Sequence, residues 1–88
     1  MSKIRTLETL EINEIQILEI IRSNTQSSTH KLAILNRLKQ LAVHGGKDFD
    51  IKIMQNLING LTNEGFIEFI EKVESYKLTD LGKEVLFS

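Results

Sequence analysis

Cysteine is absent from the 88-residue chain, which excludes both a disulfide framework and a thiolate metal site. Proline is absent too, so no proline-rich linker divides the chain, and no repeat or low-complexity tract marks a boundary. Aromatic residues make up only 6%, so the core must come from the many Ile and Leu side chains. No apolar run approaches the roughly 18 residues of a membrane span, and the first residues lack the apolar stretch of a signal peptide. A cytoplasmic protein with no membrane partner is expected. A large charge of one sign is also missing: the formal net charge is −1, unlike that of a strongly basic nucleic-acid protein.

Motifs that carry chemistry are equally scarce. There is no Ser/His/Asp grouping, no glycine-rich phosphate loop and no HExxH. Glu68 and Glu71 lie close in sequence, but on a stretch that offers no cavity. His30 and His44 are the only histidines, without partners at ligand-like spacing, and read as structural or surface groups. The chain is therefore not expected to be an enzyme, and no metal or cofactor is expected.

What remains is enough for one domain with a modest core. The near-neutral total hides a pattern. Residues 1–21 carry two basic and four acidic side chains, a net of −2. Residues 22–47 carry five basic ones (Arg22, Lys31, Arg37, Lys39, Lys47) and no acid, a net of +5. Residues 48–88 carry four basic and eight acidic, a net of −4. A basic middle between acidic flanks is a cue to an electrostatic footprint, and equally describes a soluble surface.

Apolar periodicity places the elements. Residues 1–12 read as an N-terminal arm, helical or irregular, that docks on its own domain or on a second copy. Helix 1 is expected over 13–23, with Asn13 and Gln16 as a capping box, Ile12 and Ile17 as a staple, and Ile15, Leu18 and Ile21 facing in. Helix 2 follows over 30–44, capped by Ser27, Ser28 or Thr29, with Leu32, Leu35, Leu38 and Leu41 inward and Gly45–Gly46 as its stop. Helix 3 spans 50–64. Asp50 or Asp48 caps it, Phe49 staples onto Met54, and Ile51, Met54, Leu57, Ile58 and Leu61 face in. Lys52, Gln55, Asn56, Asn59 and Asn63 make its outward stripe. Gly60 inside it costs about 1 kcal/mol against Ala, which a close approach to another helix would explain. Residues 66–79 read as a two-stranded hairpin turning through EKVE. Thr79 then caps a short last helix over 80–87. The fold class is mainly α with a small β-hairpin (α+β).

The motif Leu57-x3-Leu61-x3-Gly65-Phe66-Ile67-Glu68, followed by Tyr76-Lys77-Leu78-Thr79-x2-Gly82-Lys83-x2-Leu86, resembles the signature of winged helix-turn-helix regulators. The MarR and PadR groups and small archaeal winged-helix regulators share it. Residues 13–21 look like their first helix, so the resemblance covers roughly residues 10–87. It implies a three-helix core, a two-stranded wing and a short C-terminal helix. By the same resemblance helix 3 is the recognition helix, and the chain is a DNA-binding transcription regulator that pairs as a homodimer through its N-terminal arm and last helix. Lys52, Gln55, Asn56 and Asn59 become candidate base readers, since an amide matches adenine N6/N7 and lysine suits guanine or phosphate. Lys31, Arg37, Lys39 and Lys47, with Lys72 on the wing, become candidate phosphate contacts that position without reading sequence.

The tip of the hairpin carries Glu71 and Glu74 around Lys72, so helix 2 should supply most of the electrostatic attraction to double-stranded DNA. The same acidic tip suits the competing reading, a winged helix that binds a protein partner inside a larger assembly.

Overall fold

The computed structural model describes residues 9–24 and 28–87. It is mainly helical, with a small antiparallel sheet. In chain order come α1 (Ile12–Ser23), β1 (Thr29–His30), α2 (Lys31–His44), α3 (Ile51–Asn63), β2 (Ile67–Ile70), a 3-10 turn (Glu71–Val73), β3 (Ser75–Leu78) and α4 (Asp80–Leu86). No helix among the described residues is long and apolar enough to cross a membrane.

The sheet has three strands where the sequence suggested two, in the order β1-β3-β2. Thr29 pairs with Tyr76 and His30 with Ser75, while β2 pairs with the other edge of β3 from Ile67–Leu78 to Ile70–Ser75. Two residues are too short for an alternation pattern, which is why β1 escapes a reading of periodicity. Its pairing also moves the start of α2. Thr29 is buried in the sheet, where its hydroxyl accepts from Asn24 Nδ2 at 3.0 Å. The cap falls instead to His30, whose Nδ1 accepts from the Leu32 N–H at 3.1 Å.

Helix α1 is central and packs against α2, α3, β3 and α4. Its Ile17 and Leu18 are fully buried. It begins one residue before the expected 13, and the cap is Glu11 rather than Asn13. The Glu11 N–H donates to Glu14 Oε1 at 2.9 Å, so Glu14, not Gln16, closes the box. Ile12 is consequently exposed rather than stapled. Leu10 is the buried residue before the cap, in the same cluster as Ile15. Residues 1–8 of the expected arm lie outside the described residues.

Both long helix stops are glycine-dependent. At the end of α2 the Lys47 N–H reaches Ala42 O at 2.8 Å and the Gly46 N–H reaches Val43 O at 3.1 Å. At the end of α3 the Phe66 N–H reaches Leu61 O at 3.0 Å and the Gly65 N–H reaches Thr62 O at 3.1 Å. In each the glycine sits at positive φ, +67° for Gly46 and +86° for Gly65, which satisfies otherwise orphaned carbonyls.

The core joins Ile17, Leu18 and Ile21 of α1, Ile34, Leu35 and Leu38 of α2, and Met54, Ile58 and Leu61 of α3 to Phe66, Ile67, Tyr76 and Val85. It is aliphatic apart from two rings. Three positions expected to face in, Leu32, Leu41 and Ile51, are not in it, Leu41 being half-buried. Leu32 is 63% exposed, because it lies roughly 110° around α2 from the middle of the Ile34/Leu35/Leu38 stripe. Ile51 is 50% exposed as the first residue of α3.

A knot of short contacts ties the end of α3 to α4. The Thr79 hydroxyl lies 2.5 Å from Gly65 O and 3.0 Å from Phe66 O, and it accepts from the Gly82 N–H at 3.1 Å. Gly82 packs so tightly here that a Cβ would stand 2.1 Å from Phe66 O. Gly60, by contrast, has nothing within 4 Å of where its Cβ would be. The close approach expected at Gly60 is found at Gly82 instead.

Candidate nucleic-acid interface

The most one-sided surface belongs to α3. Its cap is Asp50, whose Oδ1 accepts from the Lys52 and Ile53 N–H groups at 2.9 and 3.3 Å. Phe49, half-buried on the core before the cap, holds the entry. At about 100° per residue, Lys52, Asn56, Asn59 and Asn63 fall within an arc of roughly 60°, opposite Met54, Ile58 and Leu61. All four are exposed. Core burial on one side thus fixes which side chains face water on the other. Gln55, the remaining candidate reader, is half-buried on one flank of the arc. The structure brings Lys52, Asn56 and Asn59 together and sets Gln55 at their edge.

The opposite flank was missed in the sequence. Ile53 is 53% exposed and lies on the same side as Gly60, seven residues on. Ile53 belongs to neither the inward stripe nor the polar one, and its position between them on a helical wheel is the signal that points to it.

The basic block does not form one patch. Lys31, Arg37 and Lys39 share α2 but point roughly 80–160° apart around its axis. Lys31 is half-buried at the start of α2, and its N–H donates to Glu74 O at 3.3 Å. Arg37 Nη1 donates to Gln40 Oε1 at 3.3 Å. Lys39 and Lys47 are exposed, Lys47 in the connection that leads into α3. Arg22 is engaged elsewhere, paired with Glu19 and lying 5.9 Å from the centroid of the Phe87 ring. Charges that are contiguous in sequence are therefore distributed over several sides of the molecule.

The hairpin presents mixed chemistry. Glu68 and Lys77 face each other across β2 and β3 at 3.7 Å. At its turn Glu71, Lys72, Val73 and Glu74 are all exposed. Glu74 takes a left-handed conformation, φ +48°, and its carboxylate lies 3.8 Å from His30 Nε2. Phe69 and Tyr76 pack with ring centroids 5.0 Å apart, and burial pushes the Tyr76 phenol above its ordinary pKa. Leu32, Phe69 and Tyr76 line a shallow groove together with His30, Lys31 and Glu74. Among the described residues no group of three or more His, Cys, Asp or Glu is placed to hold a metal ion.

No family model, curated protein or solved structure matches the chain.

Proposed function

We propose that the chain is a winged-helix regulator that lays α3 in the major groove of duplex DNA and binds it as a homodimer. The observation that carries the reading is the exposed arc of Lys52, Asn56 and Asn59 directly opposite the buried face of α3. Amides on a rigid helix present donor and acceptor together, as adenine does on its major-groove edge. Lys52 has no ion-pair partner among the described residues, so its charge is available to a phosphate or to guanine. The helix-strand-helix-helix-hairpin order, with β1 on β3, is compatible with a winged helix. Lys47, at the approach to α3, and Lys39 add cationic reach. With the α2 charges dispersed, the electrostatic share of binding should be modest, from few phosphates.

The test is binding of the full chain to duplexes selected from a random pool. Lys52→Ala with Asn56→Ala should weaken binding to the selected site about 10-fold or more, given 1–3 kcal/mol for a good base contact. Unchanged affinity would remove α3 as the reading element.

A second reading, a protein-interaction module, is favoured by one feature: the exposed Glu71 and Glu74 at the hairpin turn beside exposed Phe69 and Val73. That surface suits a basic partner with an apolar anchor. Titrating mixed-sequence DNA binding with salt separates the two. A fall in affinity with salt, of modest slope for few contacts, means that phosphates are neutralised, whereas weak, salt-insensitive binding favours the protein partner.

A further inference from the structure

Folding leaves one side chain on α3 unexplained. Ile53 is 53% exposed on the helix whose other side supplies Met54, Ile58 and Leu61 to the core. It follows Lys52 and stands three residues before Asn56, close enough on a helix surface for their side chains to be neighbours. Seven residues on, Gly60 leaves bare backbone with open space around it. The flank of the polar arc is thus a branched apolar side chain, an amide and an unobstructed stretch of backbone in one row.

We infer that α3 is built to read A·T base pairs, with Ile53 packing on the thymine 5-methyl group while Asn56 and Asn59 address adenine. The inference rests on the DNA reading above and deepens it by naming the base pair. The thymine methyl is the apolar group that the four base pairs display in the major groove. Adenine presents N7 as acceptor and N6 as donor on the same pair or its stacked neighbour, which matches the two halves of an asparagine amide. Ile53 and Asn56 lie in the first two turns of α3, the part of a groove-bound helix that reaches base edges. Gly60 carries no side chain that would hold the helix away on that flank.

The test uses the full chain, sites selected from random duplexes, and a copy of the selected site with deoxyuridine in place of thymidine. Uracil keeps the base pairing and removes only the methyl. The wild-type chain should bind the uracil copy about fourfold more weakly for each contacted methyl, the factor expected for one buried methylene-sized group. Ile53→Ser should bind the two copies alike, and circular dichroism should show its helix content unchanged because the position is exposed. Selected sites dominated by G·C pairs would overturn the inference. So would equal wild-type affinity for the two copies, or an Ile53→Ser variant that still prefers thymine. Salt-dependent binding to mixed duplex with no sequence enriched would overturn it and leave the DNA reading standing. No binding to duplex at all removes both, and is the result expected of a protein-interaction module.

Discussion

Two glycines in the second half of the chain have opposite roles, and the space around them decides which. At Gly82 an added Cβ meets a backbone carbonyl, Phe66 O, which cannot swing away as a side chain would. At Gly60 it meets nothing. Gly60→Ala should therefore stabilise the protein by about 0.5–1 kcal/mol, because alanine restricts the unfolded chain and favours helix. Gly82→Ala should destabilise it by about 1–3 kcal/mol or more through overpacking. Urea unfolding midpoints of the two variants should move in opposite directions. Tyr76 supplies the pH dependence. Its phenol is raised above the ordinary value by burial, so the folded state holds that proton more tightly than the unfolded state. The stabilisation is complete below the unfolded pKa of about 10 and is lost as pH rises through the higher folded one. The wild type should lose stability above about pH 10 more steeply than Tyr76→Phe does, measured as the difference between their urea midpoints across that range.

At the scale of elements, α3 and the hairpin carry opposite charge prospects. The start of α3 offers Lys52, with the Asp50 carboxylate directed back to the helix as its cap. The turn after β2 offers Glu71 to any approaching phosphate. In the DNA reading Glu71→Lys should raise affinity for mixed duplex and steepen its salt dependence by about 0.9 in log–log slope, the value for one added phosphate contact. An unchanged slope, measured by fluorescence anisotropy over a salt series, would place the hairpin away from the DNA. The α2 element shows why a linear charge count misleads. Arg37 and Lys39 are two residues apart, which on a helix sends them to opposite sides. In the DNA reading, Arg37 and Lys39 therefore do not contact the same duplex face together.

At the scale of the whole molecule, α1 is the hub, with Ile12 exposed at its start and Phe87 exposed beside Arg22 near its other end. A homodimer is the arrangement proposed, and it has a geometric consequence. Two copies related by a two-fold axis should select a palindromic site whose half-sites are centred about 10 bp apart or a multiple of it. Light scattering of the free chain should give twice the 10.1 kDa monomer mass. A monomer that selects an asymmetric site would overturn the dimer.

Much of this architecture was legible in the linear chain because it depends on neighbours within a turn or two. The Asp50 cap, the Thr79 cap and the glycine stops at Gly46 and Gly65 are local signals, and so is the division of α3 into a core face and a polar face. The sequence by itself determined those elements and the candidate reading face, since periodicity sets which side chains share a side. Tertiary structure decided the rest. Strand β1 exists because β3 offers it an edge, and that edge belongs to a segment distant in sequence. Leu32 and Ile53 are left exposed because no element among the described residues covers them, and Gly82 is required by the Phe66 carbonyl, which follows the end of α3. Each of those outcomes depends on what lies opposite a residue in space, which the order of residues along the chain does not state.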